Sequence, residues 1–231
     1  MSETSPMQGE VVRLALSEAQ EDYLKQILLL EERHGKAGTK ELANLLQVRP
    51  ASVTEMLGRL AQHGLVEHTR YQGAILTSSG RRVALEMLRH HRLLETYLVQ
   101  ELGYSWDQVH DEAERLEHVI SERFETKIAE VMGHPTHDPH GDPIPGEDLE
   151  MPSGTSWERL DKLSPGDRGE VARVGAQDPD SLRSLVEMGV VPGRSLEVIE
   201  INPSSVRVDL GGKQYVFSTA LAHQLWVERT R

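Results

Sequence analysis

Two short apolar runs, each spaced as on a helix and set only a few residues apart, place the first limit on this fold. Thr39 reads as an N-cap, and Leu42, Leu45 and Leu46 follow it as one stripe. Pro50 then suits the first position of a further helix, where its missing N–H costs nothing, and Val53, Leu57 and Leu60 recur at roughly i, i+4, i+7 until Gly64. Gln47-Val48-Arg49 leaves room only for a tight turn, so the pair reads as a helix-turn-helix. Directly afterwards, Leu65–Tyr71 and Ala74–Thr77 flank Gln72-Gly73 as two β-prone runs around a turn. A helix-turn-helix followed at once by a hairpin is a winged helix. Ahead of it, Ser17 with Gln20 forms a capping box for a helix carrying Tyr23, Leu24, Ile27, Leu28 and Leu30, which Gly35 ends.

The rest of the chain changes character twice. Thr77-Ser78-Ser79-Gly80 caps a long helix running to about Leu102, and Ser105 starts another that continues to about Met132. Residues 133–156 are dominated by Pro, Gly, His and Asp and read as a linker or an ordered loop. Beyond them, the runs 169–174, 195–200, 205–210 and 214–217 alternate with Gly and Pro, with a short helix at about Asp180–Met188, as in a small β-barrel. The expected fold is multi-domain and mainly α with a β domain: a winged helix-turn-helix over 1–79, a helical domain over 80–150 and a β-barrel over 151–231. The 231 residues contain no cysteine, which removes disulfides and thiolate ligands. No apolar stretch is long enough to span a membrane, and residues 1–16 lack the pattern of a signal peptide. A cytoplasmic location is the simplest expectation.

The net charge of −12 argues against a nucleic-acid partner until its distribution is read. Residues 49–92 hold 7 basic and 3 acidic side chains, a block of +4, whereas residues 93–150 hold 3 and 15, a block of −12. A basic block can meet phosphates; an acidic block this dense repels itself or collects cations. In the basic block, the N-terminal face of the helix opened by Pro50 presents Arg49, Ala51, Ser52 and Glu55. Arg49 suits a phosphate or a guanine, Ser52 either kind of partner and Ala51 a thymine methyl. Arg70 at the hairpin tip suits a minor-groove or phosphate contact.

The acidic block contains His110-Asp111-Glu112-Ala113-Glu114-Arg115-Leu116-Glu117-His118. On one continuous helix, His110, Glu114, Glu117 and His118 share a face or its border. His91 and Glu95 stand at i, i+4 on the helix before, and Asp22 adds a carboxylate on the first helix. Each histidine alone is more often an ordinary surface or core residue, but two His/acid sets on adjacent helices favour a metal. Imidazole and carboxylate without thiolate suit manganese or ferrous iron and tolerate zinc or cobalt. His134, His137 and His140 stand beside Pro and Gly, where histidines are usually solvent-exposed, and are left out of the candidate ligands.

These strings, with the His-x-x-x-Glu of HRLLE and the GDPIPG joint, resemble the diphtheria toxin repressor family of iron- and manganese-dependent regulators. The resemblance spans nearly the whole chain. It implies an SH3-like (FeoA-like) C-terminal barrel, a homodimer formed through the helical domain, and repression at a palindromic double-stranded DNA operator with Mn2+ or Fe2+ as corepressor. It implies a primary metal site of Asp22, Glu114, Glu117 and His118 and an ancillary site of His91, Glu95 and His110. Iron-type members carry methionine and cysteine at the positions of Asp22 and Glu114, so this primary site looks like the manganese type, and hard carboxylates favour Mn2+. Lys25 stands where manganese-type members often have glutamate, and His110 and the third domain are iron-type features. The third domain can add ligands near Asp178 and either Asp180 or Ser181; the same residues also read as the N-cap of the helix that follows.

Two other functions use the same residues. A zinc hydrolase would employ the His/Glu cluster, but the chain has no HExxH string, and a winged helix would go unused. A metal-independent adaptor would use the winged helix to bind protein. A repressor controlling manganese or iron homeostasis accounts for both halves and needs no enzyme activity.

Overall fold

The computed structural model describes residues 16–69, 72–152, 156–176 and 178–230. Its contacts divide the chain into two compact units. The first is built on residues up to His90, with Glu117–Ile120 and Pro145–Glu150; the second comprises His91–Leu116, Ser121–Ile144 and Met151–Arg231.

In the first unit, α1 (Glu18–His34) opens at Ser17, whose backbone N–H donates to Gln20 Oε1 at 3.0 Å, and closes on Gly35 at φ 77°. Helix α2 (Thr39–Leu45) is capped by Gly38 instead of Thr39, with the Glu41 carboxylate accepting from the Gly38 N–H. Helix α3 (Pro50–Gln62) begins at Pro50, as expected. The turn between them passes through Gln47 at φ 53°, a left-handed residue whose side-chain amide donates to Asn44 O at 2.6 Å. Strands β1 (Val66–Thr69) and β2 (Gly73–Leu76) pair antiparallel from Val66↔Leu76 to Thr69↔Gly73. Leu24, Ile27, Leu28, Leu42, Val53, Leu57 and Leu60 are wholly buried and face the core, whereas Leu45, expected in the stripe of α2, is 46% exposed at the end of this seven-residue helix and Leu46 is half-buried. The long helix α4 (Ser78–Gln100) follows, with Thr77 Oγ1 accepting from the Gly80 N–H.

The expected single helix 105–132 is two helices. Helix α5 (Trp106–Leu116) stops short of Glu117, and α6 (Glu122–Val131) begins after Ser121, whose hydroxyl accepts from the Phe124 N–H. Ser121 with Glu122 and Glu125 in the next turn is a complete helix-start signal, and it outweighs the apolar periodicity that runs across it. Glu117 and His118 therefore sit in a turn, not on the helical face that holds His110 and Glu114.

In the second unit, β3 (Trp157–Arg159), β4 (Arg168–Val174), β5 (Ser195–Asn202), β6 (Ser205–Asp209), β7 (Gln214–Ser218) and β8 (Leu225–Arg229) form one antiparallel sheet ordered β3-β8-β4-β5-β6-β7. Register shifts at Val171/Arg173 and Val198/Glu200 bend it. Helix α7 (Pro179–Met188) contributes Leu182 and Leu185 to a core shared with Val171, Val198, Val208, Phe217 and Val227. The terminal strands β3 and β8 are short runs that lack a strong alternation and were not anticipated. The four-residue α8 (Thr219–Ala222) links β7 to β8.

Residues 134–144 of the Pro/Gly/His/Asp segment form an ordered loop. His137 bridges to Pro143, and Asp138 Oδ1 accepts from the N–H groups of His140 and Asp142 at 2.8 and 2.9 Å. The Val174 N–H donates to His140 O, and Arg92 donates to Pro143 O at 2.5 Å. Gly141 makes this approach to β4 possible: its φ is +89°, and a Cβ there would lie 2.0 Å from Ala172 O. Gly141→Ala is expected to cost about 1–3 kcal/mol, read as a lower midpoint in urea unfolding, whereas Gly35→Ala, strained but open, is expected to cost less.

Candidate metal centres and nucleic-acid interface

In the first unit, α1 projects Glu21, Asp22 and Lys25 toward the turn holding Glu117 and His118. His118 Nε2 lies 3.1 Å from Asp22 Oδ1 and 3.6 Å from Glu117 Oε1, while its Nδ1 is hydrogen-bonded to Glu21 Oε2 at 2.8 Å. One carboxylate thus orients the imidazole through one nitrogen and leaves the other facing Asp22 and Glu117, the arrangement that holds histidine ligands in metal sites. Ligand atoms of Asp22, Glu117 and His118 lie within 4.8 Å of one another. Asp22 Oδ1 is buried 3.1 Å from His118 Nε2 without a well-directed hydrogen bond, so a cation seated between them would serve both atoms. Burial opposes charge on His118, yet the facing Asp22 carboxylate, the hydrogen bond to Glu21 and the charge of Glu117 prevail, raising its pKa to about 10. A metal arriving at Nε2 has to displace that proton.

Four further candidate ligands cluster in the second unit. His91 Nε2, His110 Nδ1 and Glu95 Oε1 converge, at 3.0 Å for His91–Glu95, 3.1 Å for His91–His110 and 3.2 Å for His110–Glu95. This is the expected ancillary set, brought together. Glu114, expected at the primary site, is grouped with it: Glu114 Oε2 lies 3.5 Å from His91 Nδ1. Its position one turn after His110 on α5 directs it there, while the helix ends before Glu117. Asp178 stands apart from these groups. Exposed at the start of α7, it accepts from the Ser181 N–H at 3.0 Å, the bonds to Ser181 hold its carboxyl below the usual range, and it belongs to none of the ligand clusters among the described residues. A short polar side chain before Pro179 caps the helix, which uses up the carboxylate.

A further cluster was missed. Glu95, Asp138 and His140 are all buried and offer ligand atoms within 4.8 Å of one another. Glu95 Oε2 faces His140 Nδ1 at 3.6 Å, so the two oxygens of this carboxylate serve two clusters. His140 packs its ring 4.8 Å from Trp106, and its Nε2 is buried without a hydrogen-bond partner. Burial raises the Glu95 carboxyl, but the His91 charge and hydrogen bonds from His110, His140 and His91 hold it well below the usual range. Asp138 goes the other way: burial, with Asp142 and Glu95 nearby, pushes it up to about 7. The signal for His140 was Asp-Pro-His-Gly-Asp, two carboxylates flanking a histidine at a glycine that lets the loop close on β4. Glu21 was also missed, because an acid in the first turn of a helix reads as a complement to the helix dipole.

The nucleic-acid candidates divide cleanly. Arg49 is the N-cap of α3 and Pro50 its first residue, and Arg49, Pro50, Ala51, Ser52 and Glu55 are all exposed, while Val53, Met56 and Leu57 face the core. The exposed set offers one cation, one hydroxyl and a small apolar surface at a helix N-terminus. Arg70 lies outside the described residues.

Comparison with known proteins identifies the family. The family described as "Iron dependent repressor, N-terminal DNA binding domain" matches residues 15–74, "Iron dependent repressor, metal binding and dimerisation domain" matches 77–146, and "FeoA domain" matches 158–229. The iron-dependent repressor IdeR of Mycobacterium leprae (strain TN) is 32% identical over 229 residues, covering 93% of this chain and 98% of its own. A structure described as a manganese-dependent transcriptional repressor in complex with manganese is 40% identical, with a TM-score of 0.85 over 91% of this chain and 100% of its own. ScaR with bound Cd2+ is 30% identical, with a TM-score of 0.78 over 91% of this chain and 99% of its own. The chain belongs to the iron-dependent repressor family, that of IdeR and the diphtheria toxin repressor, and is a metal-dependent transcriptional repressor.

Proposed function

We propose that this repressor responds to Mn2+, with Fe2+ as the alternative corepressor, and that the ion is held by Asp22, Glu117 and His118. The observation that carries the reading is the buried Asp22 oxygen facing a histidine whose other nitrogen is already held by Glu21. Carboxylate oxygens with one imidazole suit the harder ions of the first transition row; Zn2+ and Co2+ would bind the same donors in vitro. The second unit supplies two further candidate ion sites, His91 with Glu95, His110 and Glu114, and Glu95 with Asp138 and His140. Glu114 is proposed as a ligand of the former in this arrangement.

The ion would act as a ligand that favours one state of the protein. Bound between Asp22 on α1 and His118 in the turn after α5, it fixes the helix against which the helix-turn-helix packs. In a homodimer, two copies of α3 then meet half-sites of a palindromic operator about one helical turn apart, or a multiple of it. Arg49 would hold a phosphate and Ser52 and Ala51 would reach base edges. The place of action would be the cytoplasm, where the chromosome of a bacterial repressor lies. Cation binding would also offset the −12 charge of residues 93–150 near the phosphate backbone.

Operator binding measured by fluorescence anisotropy, with Mn2+, Fe2+ or chelator, tests this reading; equal affinity in all three would overturn it. Asp22→Ala is expected to abolish the response to metal while leaving the circular dichroism spectrum unchanged. Glu21→Ala, which frees the far nitrogen of His118, is expected to weaken Mn2+ binding about 10–100-fold in a calorimetric titration. Arg49→Ala is expected to weaken operator binding and reduce the slope of log affinity against log salt by about 1.

A further inference from the structure

The end of α1 is joined to the wing at two points. Just past the helix, the Ala37 N–H donates to Ala74 O and the Ala74 N–H to Ala37 O, both at 2.9 Å. Alternate residues of a strand offer their backbone groups to the same edge, so Leu76 faces the same way as Ala74. There the partner is a side chain: the Leu76 N–H donates to Glu31 Oε1. A strand edge left open presents unmatched N–H groups, and the Glu31 carboxylate takes the place of a neighbouring strand.

The second oxygen of Glu31 is ion-paired with Arg81, near the start of α4. The Glu31 side chain is 8% exposed and that of Arg81 45%, so the carboxylate is the buried partner of the two. One carboxylate thus joins α1, β2 and α4 through charge-assisted bonds. Glu31 also differs from the Ala37 bridge in being part of the helix. Its carbonyl accepts the Gly35 N–H at 2.7 Å, whereas Ala37 follows the left-handed turn at Gly35. Glu31 shares the 17-residue α1 with Asp22, about 14 Å away along the helix axis.

We propose that Glu31 is a positioning residue that carries the placement of α1 to the wing, so that an ion held at Asp22 sets the hairpin for DNA. The inference rests on the metal-centre reading above. Glu31 belongs to none of the ligand clusters among the described residues and acts through β2. An ion that favours one placement of α1 favours one placement of the Leu76 edge, and DNA that holds the wing favours the ion by the same factor. The hairpin itself does not depend on this bond. Strand β2 pairs with β1 from Val66↔Leu76 to Thr69↔Gly73, and the Thr77 N–H donates to Leu65 O at 3.0 Å. Without the carboxylate the wing folds but no longer follows the helix.

The test uses the full-length protein with Mn2+ alone as the probe, and hydrogen–deuterium exchange over β2 read by mass spectrometry. Relative to chelator, Mn2+ is expected to slow exchange there about tenfold in the unaltered protein. Glu31→Ala is expected to lose this slowing while binding as many Mn2+ ions in equilibrium dialysis. Glu31→Gln, which keeps an oxygen for the Leu76 N–H, is expected to restore it. On a duplex that the unaltered protein selects from a random-sequence pool with Mn2+, the ratio of affinity with Mn2+ to affinity with chelator is expected to fall about tenfold in Glu31→Ala. An unchanged ratio, or exchange raised equally with and without Mn2+, marks Glu31 as a support of the fold alone and overturns the proposal. Should Glu31→Ala not fold, the unaltered protein decides: exchange over β2 that Mn2+ leaves unchanged overturns it. If instead Asp22→Ala binds as many Mn2+ ions as the unaltered protein, the metal-centre reading fails, and the two failures are told apart.

Discussion

A carboxylate removed from water must find a positive charge or give up its own, and the first unit of this protein is arranged around that requirement. Glu21, Lys25 and Glu117 are buried, and His118 has little exposed side chain. Each ion carries a desolvation cost of several kcal/mol, so the group is tolerable only as a set in which every member answers another. Helix α1 supplies two of its members, Glu21 and Lys25, one turn apart. The same helix buries Leu24, Ile27 and Leu28 beneath the helix-turn-helix. One element therefore carries both these charges and the apolar face that packs against the first helix of the helix-turn-helix and the second strand of the wing.

The winged helix was legible because each of its local signals agreed with the others. Pro50, the apolar stripe of α3 and the Gly73 hairpin all specify the same local structure, and the packed core uses the faces they define. The ancillary set was legible for a similar reason: His91 and Glu95 are one helical turn apart, and His110 arrives on the next helix. Less could be read where the chain leaves regular structure. Helical spacing placed Glu114, Glu117 and His118 on one face, but α5 stops at Leu116, and the extra turn sends Glu114 to His91. A period is informative only while the helix lasts, and Ser121 marked its limit.

His140 illustrates a different difficulty. Its burial depends on a glycine that permits close contact with β4, on Arg92 holding the carbonyl of Pro143, and on Trp106 covering the ring. None of these partners is near it in sequence, so composition alone suggested an exposed loop. Asp178 went the opposite way, because an aspartate just before a helix can satisfy itself locally. Side chains that complete their hydrogen bonds within a few residues are poor candidates for a distant site. Those left with an unmatched buried atom, such as Asp22 Oδ1 and His140 Nε2, are better ones.

Glu95 has one oxygen on His91 and His110 and the other toward His140. A carboxylate has a single negative charge to distribute over both oxygens. If ions occupy both clusters, they cannot fill as independent sites: the first draws on the charge that attracts the second, and each changes the other's affinity by the same factor. The dose–response of such a protein to its metal would then be spread over a wider range of concentration than a single site allows. A single side chain would grade the signal instead of merely switching it.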